Sequence, residues 1–312
     1  MARSESGSDL SARWRPRAYL EARLAALLRR GPAPSETAPG ERVYAIGDVH
    51  GRLDLLRRLL RTIEADAHGH PLTRIVVLGD LIDRGPHSRQ VLELLRRRAQ
   101  REPERVVVLL GNHEDLMLAS VRGEAAAQRA WLRAGGEATL RSYRVDPGAF
   151  AALPAAERAR LLRRVVGAQM LGWLAARPLA HRSGDYFFCH AGVRPGVSLS
   201  KQRREDLLWI RRAFLASDTA HGAVIVHGHS VSAQPEVAPN RIGIDTGAHR
   251  SGELTAVGLQ GPCRWLLSTK RGYLTRADLE AARAWSVHAA DQPVANTLRG
   301  RRAAPVPDSE AA

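Results

Sequence analysis

Residues 43–51 read Val-Tyr-Ala-Ile-Gly-Asp-Val-His-Gly, an apolar run that passes directly into a polar segment flanked by glycines. A short, continuous apolar run is typical of a buried β-strand. Gly47 and Gly51 permit a turn after this strand, and a turn would let the side chains of Asp48 and His50 reach one metal ion. The stretch therefore predicts a strand that ends in two candidate metal ligands.

Four further motifs repeat this arrangement along the chain. They are GDLIDRG (residues 79–85), GNHE (111–114), HAG (190–192) and HGH (227–229). Three of them follow apolar, β-branched runs, and HAG follows the aromatic run at residues 186–188. The pattern places Asp, Asn and His side chains at the exits of successive strands, where they can converge.

The segment between residues 42 and 110 alternates between strand and helix patterns. Strands are predicted at 43–46, 75–78 and 106–110, and amphipathic helices at 53–65 and 88–100. This order indicates adjacent parallel strands joined by right-handed crossovers. Ligands bind beyond the carboxyl ends of the strands in such sheets, which is where the first three motifs lie.

The rest of the chain predicts a helical insertion followed by a second β layer. Residues 115–182 are expected to be mostly helical, with breaks at residues 135–136 and 146–148 and with Trp131, Tyr143 and Trp173 in the core. The strands of the second layer are predicted at 186–189, 223–226, 242–244 and 254–259. The expected fold class is α/β, with the α and β elements arranged in layers.

Three parts are expected in the domain organisation. Residues 1–41 form a basic N-terminal extension, partly disordered or with one helix at 18–30. Residues 42–272 form a catalytic domain in which 115–182 is a helical cap, and 273–312 form a peripheral helix and tail. With 312 residues, 44% of them hydrophobic, the chain is long enough for one substantial core.

Composition also limits the cellular setting and the partners. No window approaches the roughly 18 uninterrupted apolar residues of a membrane span, and the N-terminus lacks a secretory apolar region. Cys189 and Cys263 are the only cysteines, so we expect reduced thiols in a cytoplasmic protein. The net charge of +15 invites a nucleic-acid partner, but the arginines are spread over predicted helices rather than gathered in one stripe. A nucleic-acid partner is therefore not favoured.

The motif side chains suit two metal ions. Asp48 and His50 can reach a first ion, and Asp80 leaves the adjacent strand at a height where its carboxylate can bridge two. Asn112, His190 and His229 can complete the second ion. Ligands of this kind, without cysteine, favour Mn, Fe or Zn. Two ions about 3.5–4 Å apart would hold a bridging hydroxide for direct attack on a phosphoryl group.

Three further residues are candidates for work on the substrate. His113 follows the ligand Asn112 but should point another way, where a protonated imidazole can donate to the leaving alkoxide. Asp83 is the natural orienting partner for that ring. The planar fork of Arg84 matches two phosphate oxygens.

The ordered set GDVHG, GDLIDRG, GNHE, HAG and HGHS resembles the metallophosphoesterase superfamily, specifically the bacterial and phage-like branch of the PPP-type serine/threonine protein phosphatases. The resemblance spans about residues 42–259. It implies a calcineurin-like β-sandwich flanked by helices and a dinuclear site that commonly uses Mn. It also implies the metal-ligand, proton-donor and phosphate-binding roles given above. The segment 206–211, Asp-Leu-Leu-Trp-Ile-Arg, adds Arg211 as a second candidate for phosphate binding.

The expected function is hydrolysis of phosphoserine or phosphothreonine in phosphoproteins or phosphopeptides. The nearest alternative is a dinucleoside polyphosphate hydrolase of the same superfamily, such as one that cleaves diadenosine tetraphosphate. The intact residues 83–85 and Glu114 favour the protein phosphatase. A non-enzymatic nucleic-acid-binding protein that uses the positive charge is a less favoured alternative. An inactive scaffold is also less favoured, because no expected ligand is missing. His227 and His249 are interpreted as supporting or loop histidines near the site.

Overall fold

Two β-sheets lie face to face, and helices cover the outer face of each. This computed structural model describes residues 34–270 and 272–274. The strands are β1 (Arg42–Ile46), β2 (Thr73–Val77), β3 (Val106–Val108), β4 (Ala180–Ser183), β5 (Tyr186–Cys189), β6 (Val224–His227), β7 (Glu236–Val237), β8 (Arg241–Gly243), β9 (Thr255–Gln260), β10 (Cys263–Ser268) and β11 (Gly272–Leu274). The layered α/β class predicted from the sequence is confirmed.

The helices connect the strands and form most of the insertion. They are α1 (Leu53–Asp66), α2 (Ser88–Arg101), α3 (Asn112–Arg122), α4 (Ala125–Trp131), α5 (Glu137–Ser142), α6 (Pro147–Ala152), α7 (Ala155–Val166), α8 (Ala168–Ala175), α9 (Arg204–Trp209), α10 (Arg212–Leu215) and α11 (Ala248–Ser251). A π-helical turn at Leu132–Gly136, called the π-turn below, joins α4 to α5.

The first sheet has the order β11-β10-β9-β1-β2-β3, and the second has the order β4-β5-β6-β8-β7. The predicted parallel pairing of β1, β2 and β3 is confirmed. The prediction that the strand at 254–259 belongs to the second layer is wrong, because β9 pairs antiparallel with β1 in the first sheet. An apolar run marks a strand but not its partner, since pairing is decided by contacts between distant parts of the chain.

The continuous apolar run of β1 results from burial on both faces. Successive side chains of a strand point to opposite sides. Val43 and Ala45 therefore pack between the two sheets, whereas Tyr44 and Ile46 pack against the helices on the outer face. The layer between the sheets also contains Val76, Leu78, Phe188, Val226, Ile242, Ile244 and Val257.

The insertion that separates the strands β3 and β4 along the chain is helical over most of its predicted length. It begins earlier than expected, because α3 starts at Asn112, and it ends earlier, because β4 occupies Ala180–Ser183. The predicted break at residues 135–136 is the π-turn, and the break at 146–148 is a helix start at which Asp146 caps α6. Trp131 and Trp173 are buried in the core as predicted, and Tyr143 packs partly buried against it.

Residues 35–41 attach the chain before β1 to both sheets. The Tyr186 hydroxyl donates to Ser35 O at 3.1 Å, and Gly261 N–H donates to Thr37 Oγ1 at 2.9 Å. The predicted helix at 18–30 and the tail beyond residue 274 lie outside the described residues, so the division into three parts stays a prediction. Within the described ranges, no helix is long and apolar enough to cross a membrane.

Candidate metal centre

The five motifs meet at one edge of the molecule, beyond the carboxyl ends of β1, β2, β5 and β6. Val49 N–H donates to Asp80 O at 3.0 Å, which joins the loops after β1 and β2. His190 Nδ1 lies 3.0 Å from Leu78 O, which joins the two sheets. The six predicted metal ligands, each at most 4% exposed, are Asp48, His50, Asp80, Asn112, His190 and His229.

A close backbone contact brings Asn112 next to Asp80. A Cβ on Gly111 would lie 2.1 Å from Asp80 N, so only glycine fits between the loops that follow β2 and β3. Helix α3 begins directly afterwards, and its His113 N–H donates to Asp80 Oδ1 at 3.1 Å. The first turn of α3 thus carries Asn112 and His113 at the edge of the sheet.

His50 and Asp48 both lie in the loop after β1, and His50 faces one side of Asp80. His50 Nδ1 donates to Ile82 O at 2.8 Å, which leaves the Nε2 lone pair facing Asp80 Oδ2 at 3.5 Å. Asp48 accepts the His229 N–H at 3.1 Å on both carboxylate oxygens. The loop after β1 therefore presents the His50 imidazole to Asp80, and its Asp48 carboxylate lies against the backbone of His229.

Asn112, His190 and His229 lie on the other side of Asp80. With Nδ1 of His190 bonded to Leu78 O, its Nε2 lone pair lies 2.8 Å from Asn112 Oδ1 and 3.3 Å from Asp80 Oδ1. His229 Nδ1 lies 2.9 Å from the same Asn112 oxygen. Electron-pair donors that face one another at these distances repel unless a positive charge lies among them. The arrangement therefore fits a cation.

The electrostatics of the cluster agree with cation binding. Burial lowers the pKa of His50 and His190 and lowers that of His229 to about 2, so these rings are neutral, as metal-ligating imidazoles must be. Burial and the neighbouring carboxylate of Asp245 raise the pKa of Asp48. A divalent cation would relieve this crowding of buried carboxylates.

The donor set has oxygen and imidazole ligands without thiolate. Cys189 precedes His190, but its thiol is buried in a separate apolar cluster with Val193 and Phe214. Two triads of acceptor atoms, His50-Asp80-His113 and Asp80-His190-His229, each lie within 4.8 Å, and Asp80 belongs to both. Shared membership of Asp80 is what a bridging carboxylate requires. These ligand types suit Mn, Fe or Zn.

The backbone is strained at the same edge. Among the described residues, those with positive φ that are not glycine are His50, Asp80, Asp83, Arg84, Arg144 and His229. All but Arg144 are predicted site residues. Each such conformation costs on the order of 1–3 kcal/mol and persists only where surrounding contacts impose it.

His113, Asp83 and Arg84 form a connected group beside Asp80. His113 Nδ1 lies 2.6 Å from Asp83 Oδ2, and Asp80 and Asp83 raise the pKa of His113 although burial opposes this. Arg84 Nη1 lies 2.8 Å from His50 Nε2, and Nη2 lies 3.0 Å from His113 Nε2. The Arg84 side chain is exposed, so its guanidinium lies at the entrance to the cluster.

Arg211, His227 and His249 lie around this group. Arg211 is exposed, and its charge contributes to the low pKa values of His190 and His229, so it faces the second triad. His227 is buried behind the site with its ring 5.0 Å from that of Phe214. The His249 ring lies 5.3 Å from the His50 ring. The predicted supporting positions of the two histidines agree with these contacts.

Sequence reasoning missed part of the network. Glu114 accepts four backbone N–H groups, from Asp80, Leu81, Ile82 and Gly111, at 2.8–3.2 Å, and so fixes the loop that carries Asp80. Asp245 is buried near Asp48, and its Oδ2 has no hydrogen-bond partner among the described residues. Asp245 also follows a strand, so the strand-exit signal that identified the other ligands was present at this position.

Residues 41–254 match the calcineurin-like phosphoesterase family. The match covers more than half of the chain and includes all six predicted ligands. The chain belongs to this family. It is a metallophosphoesterase with a divalent metal site. The resemblance drawn from the five motifs is confirmed at this level. Among curated proteins, none matches the sequence.

Solved structures with a similar fold differ in what they are said to hydrolyse. A candidate diadenosine tetraphosphatase is 20% identical, with a TM-score of 0.50 over 77% of this chain and 100% of that one. A cold-active protein-tyrosine phosphatase of a psychrophilic Shewanella is 18% identical, with a TM-score of 0.46 over 77% and 83%. A serine/threonine phosphatase from Saccharomyces cerevisiae is 15% identical, with a TM-score of 0.47 over 72% and 76%. At these identities the similarity shows the fold alone.

Proposed function

We propose that this phosphoesterase hydrolyses phosphoserine and phosphothreonine monoesters in proteins, using two divalent cations, preferably Mn. The observation that carries the proposal is the geometry of Arg84, whose guanidinium bridges His50 and His113 directly beside Asp80. This arrangement places a candidate phosphate-binding fork next to the candidate proton donor His113 and the candidate metal ligands His50 and Asp80.

Each side chain has a role in this scheme. Asp48, His50 and Asp80 would hold the first cation, and Asp80, Asn112, His190 and His229 would hold the second. When bound, the two cations supply the nucleophilic oxygen and neutralise charge on the phosphoryl group. Arg84 and Arg211 bind the phosphate oxygens from the exposed side, where both side chains lie.

The Asp83–His113 pair supports a monoester with a poor leaving group. The alkoxide of serine or threonine must be protonated as it departs, and His113 Nε2 is the ring nitrogen that can do this, because Nδ1 is bonded to Asp83 while Nε2 faces Arg84 and Asp80. A dinucleoside polyphosphate instead releases a phosphate, which needs much less help from a proton donor. Trp209, which is 41% exposed with its ring 6.3 Å from that of His229, gives the site an open apolar rim that a protein surface can reach.

The decisive experiment compares Mn-dependent hydrolysis of phosphoserine and phosphothreonine peptides with that of diadenosine tetraphosphate. We expect higher kcat/KM for the peptides and no turnover in Asp80→Asn, which removes the shared ligand charge. A clear preference for the dinucleotide would overturn the protein-phosphatase assignment. Salt-sensitive binding of DNA or RNA that survives Asp80→Asn, without hydrolysis, would favour a nucleic-acid-binding protein.

A cytoplasmic location is proposed from the sequence alone. Its test is fractionation of the native cells with an antibody against the chain, and recovery in the membrane or secreted fraction would contradict it.

A further inference from the structure

The π-turn lies directly against Arg84. Gly135 O accepts the Arg84 backbone N–H at 3.2 Å, and Ala134 O accepts its Nε–H at 3.4 Å. Two successive carbonyls of the turn therefore accept hydrogen bonds from the backbone and from the side chain of the same arginine. The guanidinium extends from this contact to His50 and His113.

Gly135 makes the contact possible in two ways. Its φ of +112° is a conformation that residues with a Cβ rarely adopt. A Cβ at this position would also lie 2.9 Å from Arg84 Cγ and 3.1 Å from Arg84 N. Any other residue would therefore strain the turn and push the arginine away from the metal edge, the edge of the molecule that carries the six predicted ligands.

The helices on either side of the π-turn hold the neighbouring Asp83. Trp131 Nε1–H, from the end of α4, donates to Asp83 Oδ1 at 3.1 Å. Thr139 Oγ1–H, from α5, donates to the same oxygen at 2.5 Å. One segment of the insertion thus contacts both the residue that orients His113 and the residue that binds phosphate.

We propose that the π-turn is the positioning element for the phosphate-binding arginine, with Gly135 as the positioning residue for Arg84. The inference rests on the role of Arg84 in the proposed function. Arg84 has a φ of +65° and a long flexible side chain, so its productive placement must be imposed from outside. Contacts that fix the fork before substrate arrives reduce the entropy lost on binding.

The test uses the full-length Mn-loaded protein and p-nitrophenyl phosphate, together with binding of inorganic phosphate measured by calorimetry. In Gly135→Ala we expect kcat/KM and phosphate affinity to fall roughly tenfold or more, the effect of a lost hydrogen bond to a charged group. Bound Mn should stay at the wild-type amount, because the turn touches no predicted ligand other than through Arg84. Unchanged phosphate affinity would overturn the proposal.

The double variant Gly135→Ala/Arg84→Ala separates positioning from general damage. If Gly135 acts through Arg84, the double variant is no worse than Arg84→Ala alone. If the two losses multiply, Gly135 acts elsewhere and the proposal fails.

Gly123 supplies the matched control. It has a φ of +97° at the end of α3, and a Cβ there would meet only Ala159 Cβ, at 3.9 Å. Gly123→Ala therefore introduces backbone strain without touching Arg84. We expect a lower melting temperature with wild-type phosphate affinity. An equal loss of phosphate affinity in Gly123→Ala would show that strain alone explains the result.

Two additions keep the test informative if Gly135→Ala folds poorly. Gly135→Asn tolerates positive φ better but still places a Cβ against Arg84, so it should show the same loss. In the wild-type protein the Arg84 amide should exchange slowly with solvent, and rapid exchange would contradict the contact with Gly135. Because the binding of inorganic phosphate is measured directly, a preference for dinucleotides would overturn the proposed substrate without affecting this comparison.

Discussion

His113 is the residue that most limits which esters this site can hydrolyse. Its Nδ1 is bonded to Asp83, and Asp83 is itself fixed by Trp131 and Thr139, so the ring has one orientation. That orientation places Nε2 3.0 Å from Arg84 Nη2 and 3.7 Å from Asp80 Oδ2. A proton donor fixed in this way accelerates hydrolysis most when the leaving group is a poor one that must be protonated.

Replacing His113 should therefore penalise substrates unequally. For His113→Asn we expect kcat on a phosphoserine peptide to fall by about 10²–10⁴. The fall on p-nitrophenyl phosphate should be much smaller, since p-nitrophenolate leaves without protonation. Steady-state kinetics on both substrates measure the difference. Equal losses on the two would mean that His113 is not the proton donor.

The insertion illustrates, at the scale of elements, what the sequence could and could not predict. Its helical character and the core position of Trp131 were predictable from apolar spacing. The bond from Trp131 to Asp83 was not, because the two residues are 48 positions apart and nothing local couples them. The same reason explains the misplacement of β9, whose partner β1 lies more than 200 residues earlier.

Strands without a strong apolar pattern were also missed. β4 is exposed or half-buried over three of its four residues, and β7 has only two residues. By contrast, the ligand residues were predictable because each follows a strand with a distinctive apolar run. Their grouping around Asp80 needed no knowledge of pairing beyond the shared edge of the sheet.

A conservative change in α4 tests how strongly the insertion acts on catalysis. Trp131→Phe keeps an aromatic ring but removes the donor to Asp83, and a net hydrogen bond of about 0.5–1.5 kcal/mol predicts a roughly 2- to 13-fold fall in kcat. The fall should be larger for phosphoserine peptides than for aryl phosphates, because it acts through His113. The control is Trp173→Phe, which should leave kcat unchanged. Trp173 is a buried tryptophan of the same insertion, and the Arg177 guanidinium lies over its ring.

At the scale of the whole molecule, the metal edge joins the two sheets. The predicted ligands come from loops after β1 and β2 in the first sheet and after β5 and β6 in the second, and α3 adds Asn112. Cations bound there would connect the sheets through several buried side chains. Metal binding should therefore stabilise the whole fold rather than one loop.

Thermal unfolding with and without Mn measures this coupling. At a concentration one hundred times Kd, a cation that binds only the folded chain adds about 2.7 kcal/mol, which corresponds to roughly 5–10 °C for a domain of this size. Asp80→Asn should lose most of the increase. Asp66→Asn, which alters a carboxylate bonded to Tyr44 and Trp265, should keep it. An equal Mn effect in Asp80→Asn would place the stabilising cation elsewhere.

The strained backbone conformations at the metal edge lower the stability of the fold, and they occur at predicted site residues. Arg84→Gly and Arg84→Ala both remove the guanidinium, but only glycine relaxes a φ of +65°. We expect the glycine variant to be more stable than the alanine variant by about 1 kcal/mol, measured by denaturant unfolding. A more stable alanine variant would show that the conformation carries no strain.

The same strain predicts which substitutions would accumulate if the site were no longer needed. In a copy of this chain released from catalysis, glycine would relieve the backbone strain at positions 50, 80, 83, 84 and 229, each of which has a positive φ in the intact protein. Here those positions carry histidine, aspartate and arginine. These side chains are present although their backbone conformations cost free energy of folding. Such a cost is expected at a functional site.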